Sequence, residues 1–584
     1  MRHIPLLAVL FLSPLGVTLA QTPDTARFTH ADTLRGSNTL QRAWWDVTFY
    51  DLHVSIDPAD STIRGWNGIS YRVLHPAREM QIDLQQPLEV DSMVQDGEHL
   101  SFRRDGNAFF VTLVAPQHTS DVKTVAVYYH GRPRVAKRPP WDGGLIWQHD
   151  SLGNTWIATA CEGLGASVWW PNKDLLADEP DSQRIAITVP DPMVDVSNGR
   201  LRSTVHNPDH TTTYEWFVSS PINNYDVEAN AGTYAHYTER YKGEDGTLTM
   251  DFWPLAYHLA AAKKQWTQAA SMMRCFEHWF GPYPWYKDGY KLVEAPHLGM
   301  EHQSGVAYGN HFRNGYLGRD LSGTGEGLKW DFIIVHESAH EWWGNSLTDK
   351  DAADEWIHES FANYSENLYT ECLTGSKAAG ARYVIGTRKL VRNDKPIIGH
   401  YGVNDEGSGD MYYKGGNMLH TIRQLVNDDA KWRSILRGLQ RTFRHQTVTS
   451  RQVEQYIDRQ SGLNLDKVFA QYLETTQIPV LEYKLDGSTL SYRWTNVVKG
   501  FDMPVRVALS AKGYTLIRPT EAWQTSATHL ARADEFRVDE NFYVQVKNVG
   551  AQAATDLGTA APRNRRTSAP RHHRSSTPRH HRIL

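Results

Sequence analysis

Cysteine is scarce in this sequence: Cys161, Cys275 and Cys372 are the only three in 584 residues. A disulfide framework for a chain of this size needs more. At most one pair can form with one thiol left over, and large buried cores must supply the stability. Long apolar runs are equally lacking. No segment reaches the roughly 20 apolar residues of a bilayer span, which excludes stable membrane insertion. Excess positive charge is absent too. The net charge is −5, and the last 22 residues contribute seven arginines and no acid, so the remainder is more acidic still. An acidic body argues against nucleic-acid binding as the main task.

What is abundant is aromatic: 20 tryptophans and 27 tyrosines point to aromatic-lined clefts. The first residues read as a targeting segment. Arg2 and His3 precede the apolar stretch Ile4 to Leu12, and Thr18-Leu19-Ala20 offers small residues for cleavage before Gln21. This predicts a signal peptide over 1–20, export, and a periplasmic or extracellular location.

The length implies two to four domains, and the pattern predicts a multidomain α+β chain. Over 21–237 short alternating stretches (Leu52 to Ile56, Phe109 to Val114, Val122 to Tyr129, Arg184 to Val189) predict a β-rich N-terminal domain. Over 238–478 the reading is mainly helical. Leu255 to Phe280, Trp330 to Asn345, Asp354 to Thr370, Gly416 to Val426, Val453 to Arg459 and Leu465 to Glu474 are expected helices, and Tyr290 to Glu294 a strand. Strand signals return at Leu481 to Leu485, Leu490 to Trp494 and Val505 to Leu509, enough for a small β-sandwich over 479–550. Residues 551–584, with the near-repeat Ser568-Ala-Pro-Arg-His-His-Arg and Ser576-Thr-Pro-Arg-His-His-Arg, read as a disordered basic tail.

The strongest signal is His336-Glu337-Ser338-Ala339-His340. On a helix, positions i and i+4 share a face, so both imidazoles reach one ion while Glu337 can face the water there. Catalytic zinc keeps three protein ligands and an open position. Glu359, nineteen residues after His340 within Trp356-Ile357-His358-Glu359-Ser360-Phe361-Ala362, is the expected third ligand. By chance, the five-residue motif is expected in roughly 5–10% of chains this rich in histidine; adding a glutamate at one fixed later position reduces that to about half a per cent. His358 points about 100° away from Glu359 on the helix and reads as structural. His297 and His420 have no ligand spacing.

This spacing, with Gly344-Asn345 and Glu359-Ser-Phe-Ala, resembles the gluzincin aminopeptidases of the aminopeptidase N type over roughly residues 45–510. The resemblance implies one Zn²⁺ held by His336, His340 and Glu359, and Glu337 as general base. It also implies a β-rich N-terminal domain, a thermolysin-like catalytic domain and a small β-sandwich, in a short form without the long helical domain of larger members. That short form predicts an open cleft that accepts longer peptides.

Leu298-Gly299-Met300-Glu301-His302 resembles the family's Gly-x-Met-Glu-Asn, departing at Leu298 and His302. The match assigns Glu301 to the substrate's α-ammonium, with Gly299 and Met300 beside it. Thr159-Ala160-Cys161-Glu162, followed by Trp170-Pro171 and Asp178-Glu179-Pro180, resembles the segment that supplies a second anchor, Glu162. Met411-Tyr412-Tyr413-Lys414-Gly415 resembles Tyr-x-Lys-Gly and gives Tyr412 the oxyanion, with Tyr413 as the competitor one residue on.

The implied function is hydrolysis of the first peptide bond of peptides with a free N-terminus. The alternatives are a thermolysin-like endopeptidase, an inactive peptide-binding member of the fold, or an epoxide-hydrolysing side activity. An endopeptidase has no use for an ammonium trap.

Overall fold

The computed structural model describes residues 28–510 and 513–550. The signal-peptide and basic-tail expectations lie outside these residues. Among the described residues no helix is long and apolar enough to cross a membrane.

The N-terminal part is built on an eight-stranded sheet. At its centre Trp45–Asp57 pairs antiparallel with Thr62–Val73 and parallel with Ser182–Pro190. The alternation seen in the sequence is the reason: Tyr50, Leu52, Val54 and Ile56 all point into one core. Asp96 and Gly97, both at positive φ, turn Glu89–Gln95 back onto Glu98–His99, the conformation an Asp-Gly turn favours. A four-stranded sheet contains Gly144–His149 and Thr155–Ala160, whose end delivers the turn bearing Glu162.

A five-stranded sheet follows, in the order Tyr237–Gly243, Gly246–Trp253, Tyr290–Glu294, Val306–Tyr308 and Gly299–Met300. Its last member is an edge strand, antiparallel to Val306–Tyr308. The N-terminal core runs into this sheet through Leu255, Val293, Met300 and Ala307, so the two regions meet there. Helices pack beyond it, and Cys275 and Cys372 form a disulfide between Gln268–Phe280 and Trp356–Thr374. Cys161 is free and buried.

Two expected helices differ from the observed ones. Leu255 to Phe280 is broken into a short turn and the helices Leu259–Gln265 and Gln268–Phe280. The break at Trp266 and Thr267 lets the Trp266 indole reach Phe252, Tyr308 and Phe312. Trp330 to Asn345 shrinks to Phe332–Ala339. Asp331 caps its start by accepting from the Ile333 amide. At its other end the chain leaves the helix, which buries both adjacent indoles, Trp342 and Trp343, before Gly344 at φ +132°. Besides the short N-terminal helix His30–Gly36, two helices of the 238–478 region, Lys377–Gly386 and Asp429–Phe443, lie outside the expected set. The second buries Trp432, Ile435, Leu436, Leu439 and Phe443 at helical spacing behind an Asp428 cap, a signal present in the sequence.

After residue 479 the strands form two sheets. One orders Gln524–Ala527, Thr489–Thr495, Val480–Asp486 and Gln545–Asn548; the other orders Gly513–Ile517, Val505–Ser510 and Arg537–Val538. Their apolar residues join the core of the helical region.

Candidate metal centre and active site

The helix Phe332–Ala339 carries His336 and Glu337, and His340 retains helical dihedrals at its C-cap, so the i, i+4 face survives the early helix end. The neighbouring helix Trp356–Thr374 presents Glu359 to the same point. His336 Nε2 lies 3.4 Å and His340 Nε2 3.6 Å from Glu359 Oε2. All three residues are at least 95% buried.

The outer ring nitrogens are both engaged. His336 Nδ1 is 2.8 Å from Glu366 Oε1, and His340 Nδ1 is 3.0 Å from the Trp343 carbonyl oxygen. A proton held on each Nδ1 leaves each Nε2 lone pair facing Glu359. Glu366 is itself fixed by Asn363 and by the Tyr383 hydroxyl at 2.6 Å. Glu359 Oε2, buried between two imidazole nitrogens, has no hydrogen-bond partner among the described residues. A buried carboxylate oxygen left so would be costly, and a divalent cation there satisfies all three donors. Two imidazoles and a carboxylate make a donor set suited to zinc.

Around the ligands stand the other expected residues. Glu337 is buried, and its carboxyl is raised to about 8 by burial, with Glu301 and Glu359 adding to the rise and His336 opposing it. Gly299 leaves these side chains their space: a Cβ there would sit 2.8 Å from Glu337 Oε1 and 2.9 Å from the Ile333 side chain. The edge strand Gly299–Met300 leads to Glu301, whose carboxylate lies within 4.8 Å of the Glu337 and His340 ligand atoms. Tyr225 donates to Glu301 at 3.3 Å, and Asn345 holds its backbone carbonyl at 2.8 Å. Glu162 comes from the other side, within 4.8 Å of Glu355 and Glu359. Burial, then Glu301, pushes the Glu162 carboxyl well up. The Tyr412 hydroxyl donates to Glu359 Oε1 at 2.6 Å, whereas the Tyr413 ring lies 6.3 Å beyond that of Tyr412.

Five carboxylates therefore converge, Glu162, Glu301, Glu337, Glu355 and Glu359. Such a crowd repels itself unless cations enter it. The arrangement can bind a divalent ion, hold an ammonium group beside it, and offer a carboxyl for proton transfer.

The two departures from the family motif acquire a meaning. His302 is wholly buried and its Nδ1 lies 2.9 Å from Glu228 Oε2, so this side chain serves the interior. Leu298 packs on the apolar core. His358 sits between Asp349 (3.2 Å) and Glu355 (3.3 Å), away from the ligand cluster. His297 is buried with both ring nitrogens unpartnered among the described residues, and burial, then His302, pushes it down to about 3.

Three contributors were not foreseen. Glu366 stands seven positions after Glu359, two turns along the same helix face, a spacing that could have revealed it. Glu355, one turn before, is similar. Tyr225 comes from a distant segment with no local signal.

Residues 266–472 match the family described as "Peptidase family M1 domain". Residues 266–472 are thus similar to a peptidase family M1 domain. The segment encloses every metal-ligand candidate, while Glu162 lies outside it. Among relatives, the chain is 27% identical over 222 residues to aminopeptidase N of Lactobacillus helveticus, covering 34% of this chain and 25% of that protein. It is 20% identical over 251 residues to probable aminopeptidase 1 of Sulfurisphaera tokodaii, covering 40% and 31%. The matches thus span about a third or less of these relatives' length. In fold, this chain is similar to a mutant two-domain M1 zinc metallopeptidase bound to L-tryptophan (TM-score 0.65, 21% identity, 76% of this chain and 97% of that one). It is also similar to the M1 zinc metallopeptidase of Deinococcus radiodurans (TM-score 0.63, 21% identity, 74% and 94%).

Proposed function

We propose that the chain is a zinc-dependent aminopeptidase that hydrolyses the first peptide bond of peptides with a free N-terminus. The observation that carries this reading is the pairing of the His336–His340–Glu359 cluster with the carboxylates of Glu301 and Glu162 beside it. An ion bound there supplies a Lewis acid that polarises a carbonyl and makes water acidic near neutral pH.

The chain's own residues do the rest. Glu301 and Glu162 grip the α-ammonium by charge-assisted hydrogen bonds, which fixes the cut after residue one. The edge strand Gly299–Met300 offers backbone groups to the substrate's main chain. Glu337 takes the proton of the attacking water and returns it to the leaving amine. Tyr412, held at the site by its bond to Glu359, turns its hydroxyl to the developing oxyanion.

The same acids weigh against an endopeptidase, whose substrate brings no ammonium to this place. We also propose export after cleavage near Ala20, a reading that the Cys275–Cys372 bridge supports because such bonds persist in oxidising compartments. The two C-terminal sheets are read as a small β-sandwich. The test compares an aminoacyl anilide with its N-acetylated form, with and without a zinc chelator. The free amine should be cleaved and the acetylated substrate refused; equal rates would sink the exopeptidase assignment.

A further inference from the structure

Beside the ammonium site lies a narrow, open-sided cleft with about 30 Å³ of free space at its base, lined by Glu162, Glu355, Glu406 and Asn224, with Arg35 and Asp174 in its wall. The loop carrying Glu406 is clamped to the Glu162 turn, where Asn404 Nδ2 donates to the Gly163 carbonyl at 3.1 Å. Gly163, at φ +69°, leaves the space that Glu406 occupies: a Cβ there would lie 2.6 Å from Glu406 Oε1. The cavity is thus continuous with the place assigned to the first residue's amine.

Its charges do not balance. Arg35 is matched by Asp174 at 2.7 Å. Glu355 shares His358 with Asp349. Glu162 is reserved for the α-ammonium, and Glu406 makes no ion pair within 4 Å among the described residues. A second observation points the same way. Asn224, 6% exposed, spends its amide on the Lys173 carbonyl at 2.7 Å, and its Oδ1 has no donor among the described residues. The cavity therefore presents the carboxyl groups of Glu162, Glu355 and Glu406 and a free carbonyl oxygen against one guanidinium, Arg35, which is bound to Asp174 and keeps an Nε donor without a partner among the described residues. An occupant rich in N–H groups and positive charge satisfies them; an aliphatic one strands them.

We infer that this cavity receives the side chain of the substrate's first residue and selects a cationic one, arginine or lysine, through Glu355, Glu406 and Asn224. The inference rests on the aminopeptidase reading and deepens it. Arg's fork of donors suits two carboxylates and an amide oxygen.

The test is calorimetric titration of the zinc-loaded full chain with L-arginine, L-leucine, L-glutamate and N-acetyl-L-arginine. Arginine should bind about ten- to a hundredfold more tightly than leucine, the range for hydrogen bonds to charged groups, and glutamate most weakly. Glu406→Gln and, separately, Glu355→Gln should each shrink the arginine-to-leucine ratio at least severalfold. Leucine equal to arginine, glutamate tightest (Arg35 then sets the choice), or a ratio unmoved by both variants would each overturn the inference. The acetylated ligand separates the two readings. Should it bind as tightly as arginine, the ammonium trap fails while the side-chain preference is still decided by the other three.

Discussion

The two halves of the candidate active site are finished to different degrees. On the metal side, both histidines have their outer nitrogens engaged, Glu366 is buttressed by Asn363 and Tyr383, and Glu359 Oε2 has no hydrogen-bond partner among the described residues. On the side proposed for the substrate, Glu162, Glu301, Glu355 and Glu406 gather with few counter-charges, and Asn224 Oδ1 has no donor among the described residues. The difference teaches how the division of labour is built. Ligands that must hold one geometry are locked by a second ring of hydrogen bonds. Groups that must receive a changing partner are left short of cations, so that the substrate completes them.

That contrast can be broken at graded cost. The largest effect is expected from Glu337→Gln, which should lower kcat about 10²- to 10⁴-fold, the range for a positioned acid–base group, while the zinc content measured by atomic emission stays at one per chain. Lost zinc would show that this carboxyl belongs to the locked half. Tyr412→Phe should lower kcat by about 10²- to 10³-fold with little change in KM, as removal of an oxyanion donor does; the same loss from Tyr413→Phe, with Tyr412→Phe near normal, would move the role one residue on. Glu366→Gln weakens the brace on His336 and should cost about 10- to 100-fold in zinc affinity, read by competition with a chelator. An unchanged affinity would mean that the outer ring of bonds does not tune the metal side.

The smallest effect concerns a histidine with no carboxylate brace. His420 lies 2.9 Å from Asn541 Oδ1 and is pushed down to about 4, chiefly by burial. The unfolded chain takes up a proton on this group below about pH 6.5 that the folded chain refuses until about pH 4. Its stability contribution is therefore complete above pH 6.5 and wanes as the pH falls, by about 2 kcal/mol at pH 5. Denaturation midpoints at pH 7 and pH 5 should separate less in His420→Gln than in the parent chain.

How much of this was legible in the sequence follows from the same division. The metal side is local: His336, His340 and Glu359 lie at helical spacings, and Glu366 continues the Glu359 face, so one-dimensional periodicity encodes the three-dimensional cluster. The substrate side is topological. Glu301 and Glu162 were readable only because their flanking residues resemble known motifs. Arg35, Asn224 and Glu406 come from three segments with no shared pattern, brought together by the folding of the N-terminal part onto the loop near residue 404. Helix interiors were likewise legible and their ends less so. The early stop after Ala339 depends on where Trp342 and Trp343 find cover, a property of the packed core that periodicity does not record.

Anomalous diffraction at the zinc edge, on crystals of the zinc-loaded chain, addresses the metal side without recourse to activity. One peak is expected, coordinated by His336 Nε2, His340 Nε2 and the Glu359 carboxylate. A peak lodged instead among Asp349, Glu355 and His358, the rival grouping a few residues away, or no peak at all, would contradict the account.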